Sequence, residues 1–164
     1  MANKMDKGKV VEARRFESIS GAAEGTIGFG KGVMRGTNDS QFLEFDGTQG
    51  VDIRGLALFT LAGNIDDGEF VAEQPMRVLR KGVMMAEVSA DAESTIDAGD
   101  KVAIDGNGDV TSETEAIVRS SGSNYAAVIE DSEFVEGGSS GDKVKIEINF
   151  PCDVTFEDLS VDNS

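Results

Sequence analysis

The chain has 164 residues, a formal net charge of −16 at pH 7, 39% hydrophobic residues, 20 glycines against 2 prolines, no histidine, no tryptophan and a single cysteine, Cys152. That length suits one domain able to bury a core without disulfide or metal support, and one cysteine closes no internal disulfide. A negative field of this size repels phosphate backbones and argues against a nucleic-acid partner, the lack of histidine removes the commonest general base at neutral pH, and no apolar run approaches the ~18 residues of a membrane-spanning helix.

The charge is uneven. Residues 1–36 carry a net +3, which leaves −19 for the remainder. Met1–Lys9 is basic but leads into no apolar run, so it does not read as a signal peptide. Val10–Phe16 reads as a strand or an extended arm, and Ser18–Gly25 as a turn-rich block. Short strand candidates follow at Thr26–Phe29, Val33–Arg35, Phe42–Phe45, Val51–Ile53 and Leu56–Leu61, divided by Gly30, Gly36, Asn38-Asp39, Asp46-Gly47 and Gly50. Turn residues at this density mark an all-β sandwich or barrel. Abundant glycine with scarce proline supplies the positive φ that tight turns need.

Phe70–Glu73 leads through Gln74-Pro75 into Met76–Val88, the strongest strand region. Its alternation is imperfect, and Gly82 inside it suggests a bulge or a sharp bend. Asp91–Asp100 reads as a short helix or loop. Lys101–Asp105 and Asp109–Thr111 then flank a hairpin turn at Gly106-Asn107-Gly108. Ala116–Arg119 and Tyr125–Glu130 are further strands, and Glu133–Asp142 is an acidic, glycine- and serine-rich loop. In Lys143–Phe150, Val144, Ile146, Ile148 and Phe150 share one face, the pattern of a half-buried strand, and Pro151 should end its pairing. The expected organisation is an all-β fold, a small β-barrel or β-sandwich. It comprises an N-terminal arm (residues 1–20), a barrel-like domain (21–152) and an acidic C-terminal tail (153–164), the tail frayed or docked on a neighbour.

Motifs with chemical potential are better explained as structure. Gly28-Phe29-Gly30-Lys31-Gly32-Val33 resembles a phosphate loop only superficially, because Lys31 is followed by glycine and a strand where a Walker loop needs Ser or Thr and a helix. Asp105-Gly106-Asn107-Gly108-Asp109 starts like a calcium loop, yet Val110 and Ala116 occupy the places of the required Gly and Glu; a hairpin turn accounts for the segment. Paired carboxylates of the glycosidase kind are open on counts alone, but aromatic platforms for a sugar are few, with one tyrosine and nine phenylalanines. Cys152 has no histidine to activate it. Met76, Met84 and Met85 suit irregular packing. No catalytic residues, cofactor or metal site are expected.

Taken in order, Gly30-Lys31-Gly32-Val33-Met34-Arg35-Gly36, Ile53-Arg54-Gly55-Leu56-Ala57-Leu58-Phe59, Val78–Val88, Ala98-Gly99-Asp100-Lys101-Val102 and Tyr125-Ala126-Ala127-Val128-Ile129 before a last alternating strand resemble the structural cement, or head decoration, proteins of tailed phages and related viruses. The resemblance spans roughly residues 20–150. It implies a β-rich, non-enzymatic protein of the virion. Such a protein is often a homotrimer, and it is bound to the capsid exterior where major capsid protein subunits meet. The charge contrast makes the N-terminal segment, with Val10, Val11, Arg14, Arg15 and Phe16, the expected contact with the capsid or an adjoining protomer. Two other readings stay open at this point: a host-surface or glycan-binding β module on a virion, and a small hydrolase with paired carboxylates.

Overall fold

A computed structural model describes residues 10–58, 68–89, 95–113 and 125–158. Among the described residues the chain forms thirteen strands. They are β1 (Val10–Ala23), β2 (Ile27–Gly28), β3 (Gly32–Arg35), β4 (Gln41–Glu44), β5 (Ile53–Ala57), β6 (Glu69–Phe70) and β7 (Pro75–Glu87), then β8 (Val102–Ile104), β9 (Val110–Ser112), β10 (Tyr125–Ile129), β11 (Ser132–Phe134), β12 (Lys143–Asn149) and β13 (Val154–Asp158).

Strands β1, β4, β3, β5 and β7 are successive neighbours in one sheet, and β1 also pairs with β7, so five strands close into a small barrel. The β1–β4 seam is parallel, through Ala22↔Gln41 and Ala23↔Phe42. Beyond β7 the same sheet continues into β12 and β11. Ala23, Val33, Phe42, Ala57, Met76 and Val78 pack together inside the barrel, with Ile19 beside them. The ribbon β2–β6 adds Ile27, Phe29 and Phe70 to this core, where the Phe29 and Phe70 rings meet edge to face at 4.9 Å.

A second, larger core lies between the outside of this sheet and a four-stranded sheet ordered β13-β10-β8-β9. Met34, Phe45, Leu56, Leu79, Met84 and Ile146 from the first sheet meet Val102, Ile104, Val110, Ala127 and Ile129 from the second. The molecule is therefore a barrel with a sandwich built on its flank.

A strand that serves two cores has to satisfy both with only two faces, because successive side chains alternate. In β7, Met76 and Val78 enter the barrel while Leu79 faces the sandwich; farther along, Met84, Ala86 and then Val88 face the sandwich. The inward parity changes between Leu79 and Met84, and Gly82 with φ +139° sits in that interval. β5 does the same at Gly55, φ +145°. Ile53 before it and Leu56 after it both face the sandwich, although an unbroken strand would point them to opposite sides. The β3–β5 register shifts at this place. The break expected at Gly82 is thus a change of phase, and Gly55 is its counterpart.

Several expectations are corrected. Ser18–Ala23, read as turns, is the second half of β1, with Ser18, Ile19 and Ser20 opposite Leu79, Val78 and Arg77. Small residues are needed there for closeness: a Cβ on Gly21 would lie 2.5 Å from the Ser40 carbonyl oxygen and 2.6 Å from the Phe42 ring. The strand crosses the boundary expected at residue 20. Val51–Ile53 and Leu56–Leu61 reduce to the single strand β5 running through Gly55, and residues 59–61 lie outside those described. The acidic loop from Glu133 starts as β11, whose Phe134 is fully buried. In the expected helix or loop Asp91–Asp100, the described part is irregular, and Ile96 bridges Gly138. The expected tail begins as an edge strand: Val154–Asp158 pairs with Ile129–Tyr125 of β10. Val154 and Phe156 pack on the larger core, so alternate apolar residues outweigh the acids that flank them. Ala116–Arg119 and residues 159–164 lie outside the described residues.

The two phase-changing glycines should differ in tolerance. A Cβ at Gly55 would collide with the Leu79 carbonyl oxygen, whereas at Gly82 the nearest atoms stand 3.5–3.7 Å away. Gly55→Ala should lower unfolding free energy by about 3 kcal/mol or more, from backbone strain plus overlap, and Gly82→Ala by about 1–2 kcal/mol, from strain alone. Urea unfolding of both variants checks the ranking; equal losses would contradict it.

Candidate functional site

Lys31 and the hairpin Asp105–Asp109 are brought together where barrel meets sandwich. The Lys31 ammonium lies 2.6 Å from an Asp109 carboxylate oxygen and donates to the Asn107 carbonyl oxygen at 3.1 Å. The Gly32 amide donates to the Gly108 carbonyl oxygen at 2.9 Å. Neither glycine has room for a side chain: a Cβ on Gly32 would overlap Ile104, and one on Gly108 would come within 2.7 Å of Glu44. Burial alone would depress the Lys31 pKa, but the Asp109, Glu44 and Asp105 carboxylates together outweigh it and the net shift is upward.

The same geometry decides two sequence motifs. In Gly28–Gly32 the Gly28 amide donates to the Glu44 carboxylate at 3.1 Å, so a carboxylate of the chain itself sits on the amide that a phosphate loop would turn to its ligand. In the hairpin one Asp105 carboxylate oxygen accepts the amides of Asn107 (2.9 Å) and Asp109 (3.0 Å), and the other accepts the Ser89 hydroxyl at 3.1 Å. This is an Asx turn closing β8 onto β9, and its neighbouring cation is Lys31. Burial dominates the Asp105 carboxyl and raises its pKa above the ordinary 3.8. Cys152 is also pushed up, chiefly by burial, which favours the inert thiol over the thiolate nucleophile.

The expected contact residues all fall on β1. Val10, Val11, Arg14 and Arg15 lie in its N-terminal part, where Val10 is opposite Met84 and Glu12 opposite Val83. Phe16 is 38% exposed, one of few large apolar side chains so placed among the described residues. It flanks an open groove of about 520 Å³ between β1 and the Phe150-Pro151 corner, with Ile19, Arg77 and Arg80 also on its walls. Gly82 leaves room at one side, since the Phe16 ring lies within 3.6 Å of where its Cβ would be.

Sequence reasoning missed both arginines. The Arg80 guanidinium stacks 4.7 Å from the centre of the Phe150 ring and donates to the Arg54 carbonyl oxygen at 2.8 Å. Burial, then the nearby Arg54 cation, lowers its pKa; an arginine keeps its charge at neutral pH all the same. Arg77 directs Nε and Nη2 onto the Ser18 hydroxyl oxygen at 3.1 and 2.6 Å. Neither guanidinium has a carboxylate in ion-pair contact among the described residues, whereas Arg54 is paired with Asp52 at 3.0 Å. The groove also holds Glu17. The available signal was two arginines within four residues of a largely apolar strand, in a chain with more than twice as many acids as bases. An exposed aromatic beside an exposed and a half-buried arginine is the composition of an adhesive surface, since these residue types dominate binding hot spots.

A family model described as structural cement protein (E217 gp24/Pam3 gp6) matches residues 4–149. Among solved structures, a chain from the capsid of Myoviridae phage XM1 is similar with a TM-score of 0.65 and 20% sequence identity, over 92% of this chain and 93% of that one. At that identity the likeness speaks for the fold. No curated protein sequence matches the chain.

The hairpin gives a pH-dependent test. A carboxyl whose folded pKa is raised favours the fold below its unfolded value, and that contribution disappears as pH rises through the folded value. Asn at position 105 keeps an oxygen acceptor and never ionises. Asp105→Asn should therefore gain stability relative to the unsubstituted protein between pH of about 4 and about 7. Asp105→Ala, which strands two amides, should lose about 1–3 kcal/mol. Urea midpoints at the two pH values decide; a relative loss by the Asn variant at the higher pH would contradict the assignment.

Proposed function

We propose, from the premise that this chain belongs to the structural cement protein family, that it binds the outer surface of a phage capsid where major capsid subunits meet and holds neighbouring subunits together. The family match over residues 4–149 carries this reading. Its support in the molecule is physical. The titratable groups that sequence singled out are committed to structure: Lys31 and Asp105 tie layers together, and the Cys152 thiol is held protonated. The chain's role is adhesion, with no bond-making step.

A cement protein stabilises its lattice by mass action. Binding only the assembled, expanded shell lowers the free energy of that state by RT ln(1 + [L]/Kd) per site, about 2.7 kcal/mol at a hundredfold excess over Kd. Linked copies raise the effective concentration at neighbouring sites, so modest single contacts give durable attachment. The basic N-terminal segment, with Val10, Val11, Arg14, Arg15 and Phe16, is the proposed contact with the capsid or an adjoining protomer. Its net +3 over residues 1–36 opposes the −19 of the rest.

Removal of residues 1–16 leaves the Glu17–Ala22 pairing with β7 in place. The truncated protein should keep its β-type circular dichroism and lose co-sedimentation with expanded capsid shells by at least about tenfold in apparent affinity. Full-length protein that fails to co-sediment with its own shells would sink the cement reading. Binding unaffected by truncation would sink only the N-terminal contact.

A further inference from the structure

Two guanidinium groups stand without a counter-charge in a chain rich in acids. Arg77 directs two N–H groups at one neutral acceptor, the Ser18 hydroxyl oxygen. Arg80 gives one to the Arg54 carbonyl oxygen. A guanidinium carries five N–H donors in a planar fork that fits a carboxylate, so most donors of both side chains meet no acceptor among the described residues. Both groups line the groove of about 520 Å³, a volume within the ~300–1,000 Å³ of sites that enclose a ligand. Its wall holds one acid, Glu17, which is in ion-pair contact with neither arginine among the described residues. The groove therefore sets two cations against one carboxylate. β1 also carries the basic N-terminal segment along β7 to its rim, so the positive surface is continuous through Phe16.

We propose, on the basis of the cement reading, that this groove receives an acidic peptide segment exposed on the capsid shell, whose Asp or Glu lies across Arg77 and Arg80 while an apolar neighbour rests on Phe16. A carboxylate held there gains charge-assisted hydrogen bonds, bidentate ones from a planar fork. The exposed Phe16 ring and Pro151 flank that contact and keep water from it, the arrangement in which an arginine contributes most to binding. The acids beside the groove do not fill it. Glu17 belongs to its wall, and Asp52 is taken by Arg54 at 3.0 Å. A phosphate backbone is a poor occupant, because the negative field of the chain repels an extended polyanion. A single carboxylate is favoured all the same, since at about 0.15 M salt fields fade over about 8 Å and the local cations dominate.

The test is co-sedimentation of the full chain and its variants with expanded capsid shells at fixed ionic strength. Arg77 is exposed and its guanidinium bonds only Ser18 among the described residues, so Arg77→Glu leaves both cores intact. It should raise the apparent dissociation constant for shells at least about tenfold. Lys143→Glu changes the net charge equally at the other end of β12, roughly 24 Å along the strand from Phe150, and should stay within about twofold of the original. Unchanged circular dichroism and thermal unfolding certify the fold of each variant. In the Arg77→Lys variant a water-soluble carbodiimide joins the amine at that position to a carboxylate in contact with it, and peptide mapping reads the partner. An Asp or Glu of a shell subunit is expected. Undiminished binding by Arg77→Glu, an equal loss in the Lys143 variant, or a cross-link from position 77 to an acid of this chain, of a second copy or to none would each overturn the inference. Those results leave the cement reading standing, because the unsubstituted chain still binds. Unsubstituted chain that leaves shells unbound removes the cement reading and the groove's partner together.

Discussion

Strand β7 belongs to two cores at once, and the architecture follows from how a strand can do that. Alternation gives a strand two faces of fixed parity. β7 presents Met76 and Val78 to the barrel, then has to present Met84 and Ala86 to the sandwich while β1 still runs along its edge. Only a local reversal of phase allows both, and a residue at φ +139° provides it where any side chain would be strained. Gly55 makes the matching reversal in β5, with the Leu79 carbonyl packed where its Cβ would stand. The barrel and one layer of the sandwich are therefore one continuous sheet.

The layers are then locked by contacts that exclude side chains. Gly32 against Ile104 and Gly108 against Glu44 bring the β2–β3 turn and the β8–β9 hairpin into direct apposition, and Lys31 closes the seam on Asp109 and Asn107. In so acidic a chain each cation is a scarce resource. Lys31, Lys101 and Arg54 are bound to Asp109, Glu130 and Asp52. Arg77 and Arg80 of β7 have no ion-paired carboxylate among the described residues and lie beside the exposed Phe16.

Much of the fold was legible in the chain. Strict alternation in Lys143–Asn149 gave β12 with its face, because one side of that strand is buried and the other is not. Asn and Gly between two apolar runs gave the β8–β9 hairpin, since the turn conformation is a local matter. The Gly-and-aliphatic order gave the family. Errors clustered where local composition and tertiary packing disagree. Ser18–Ala23 has the small residues of a turn, but the barrel needs them small so that β1 can approach Ser40 and Phe42. Val154–Asp158 has the acids of a tail, but Val154 and Phe156 find a core to cover.

By itself the sequence determined an all-β chain, dense in turns, acidic outside a basic N-terminal segment and without histidine. It could do so because alternation, turn chemistry and net charge are properties of neighbours along the chain. The closure of β1 onto β7, the exchange of faces at Gly55 and Gly82, and the meeting of Phe16 with Arg77, Arg80 and Phe150 in one groove were decided only in three dimensions. Each joins residues separated by tens of positions, and which of them meet depends on strand register and packing, which no local pattern encodes.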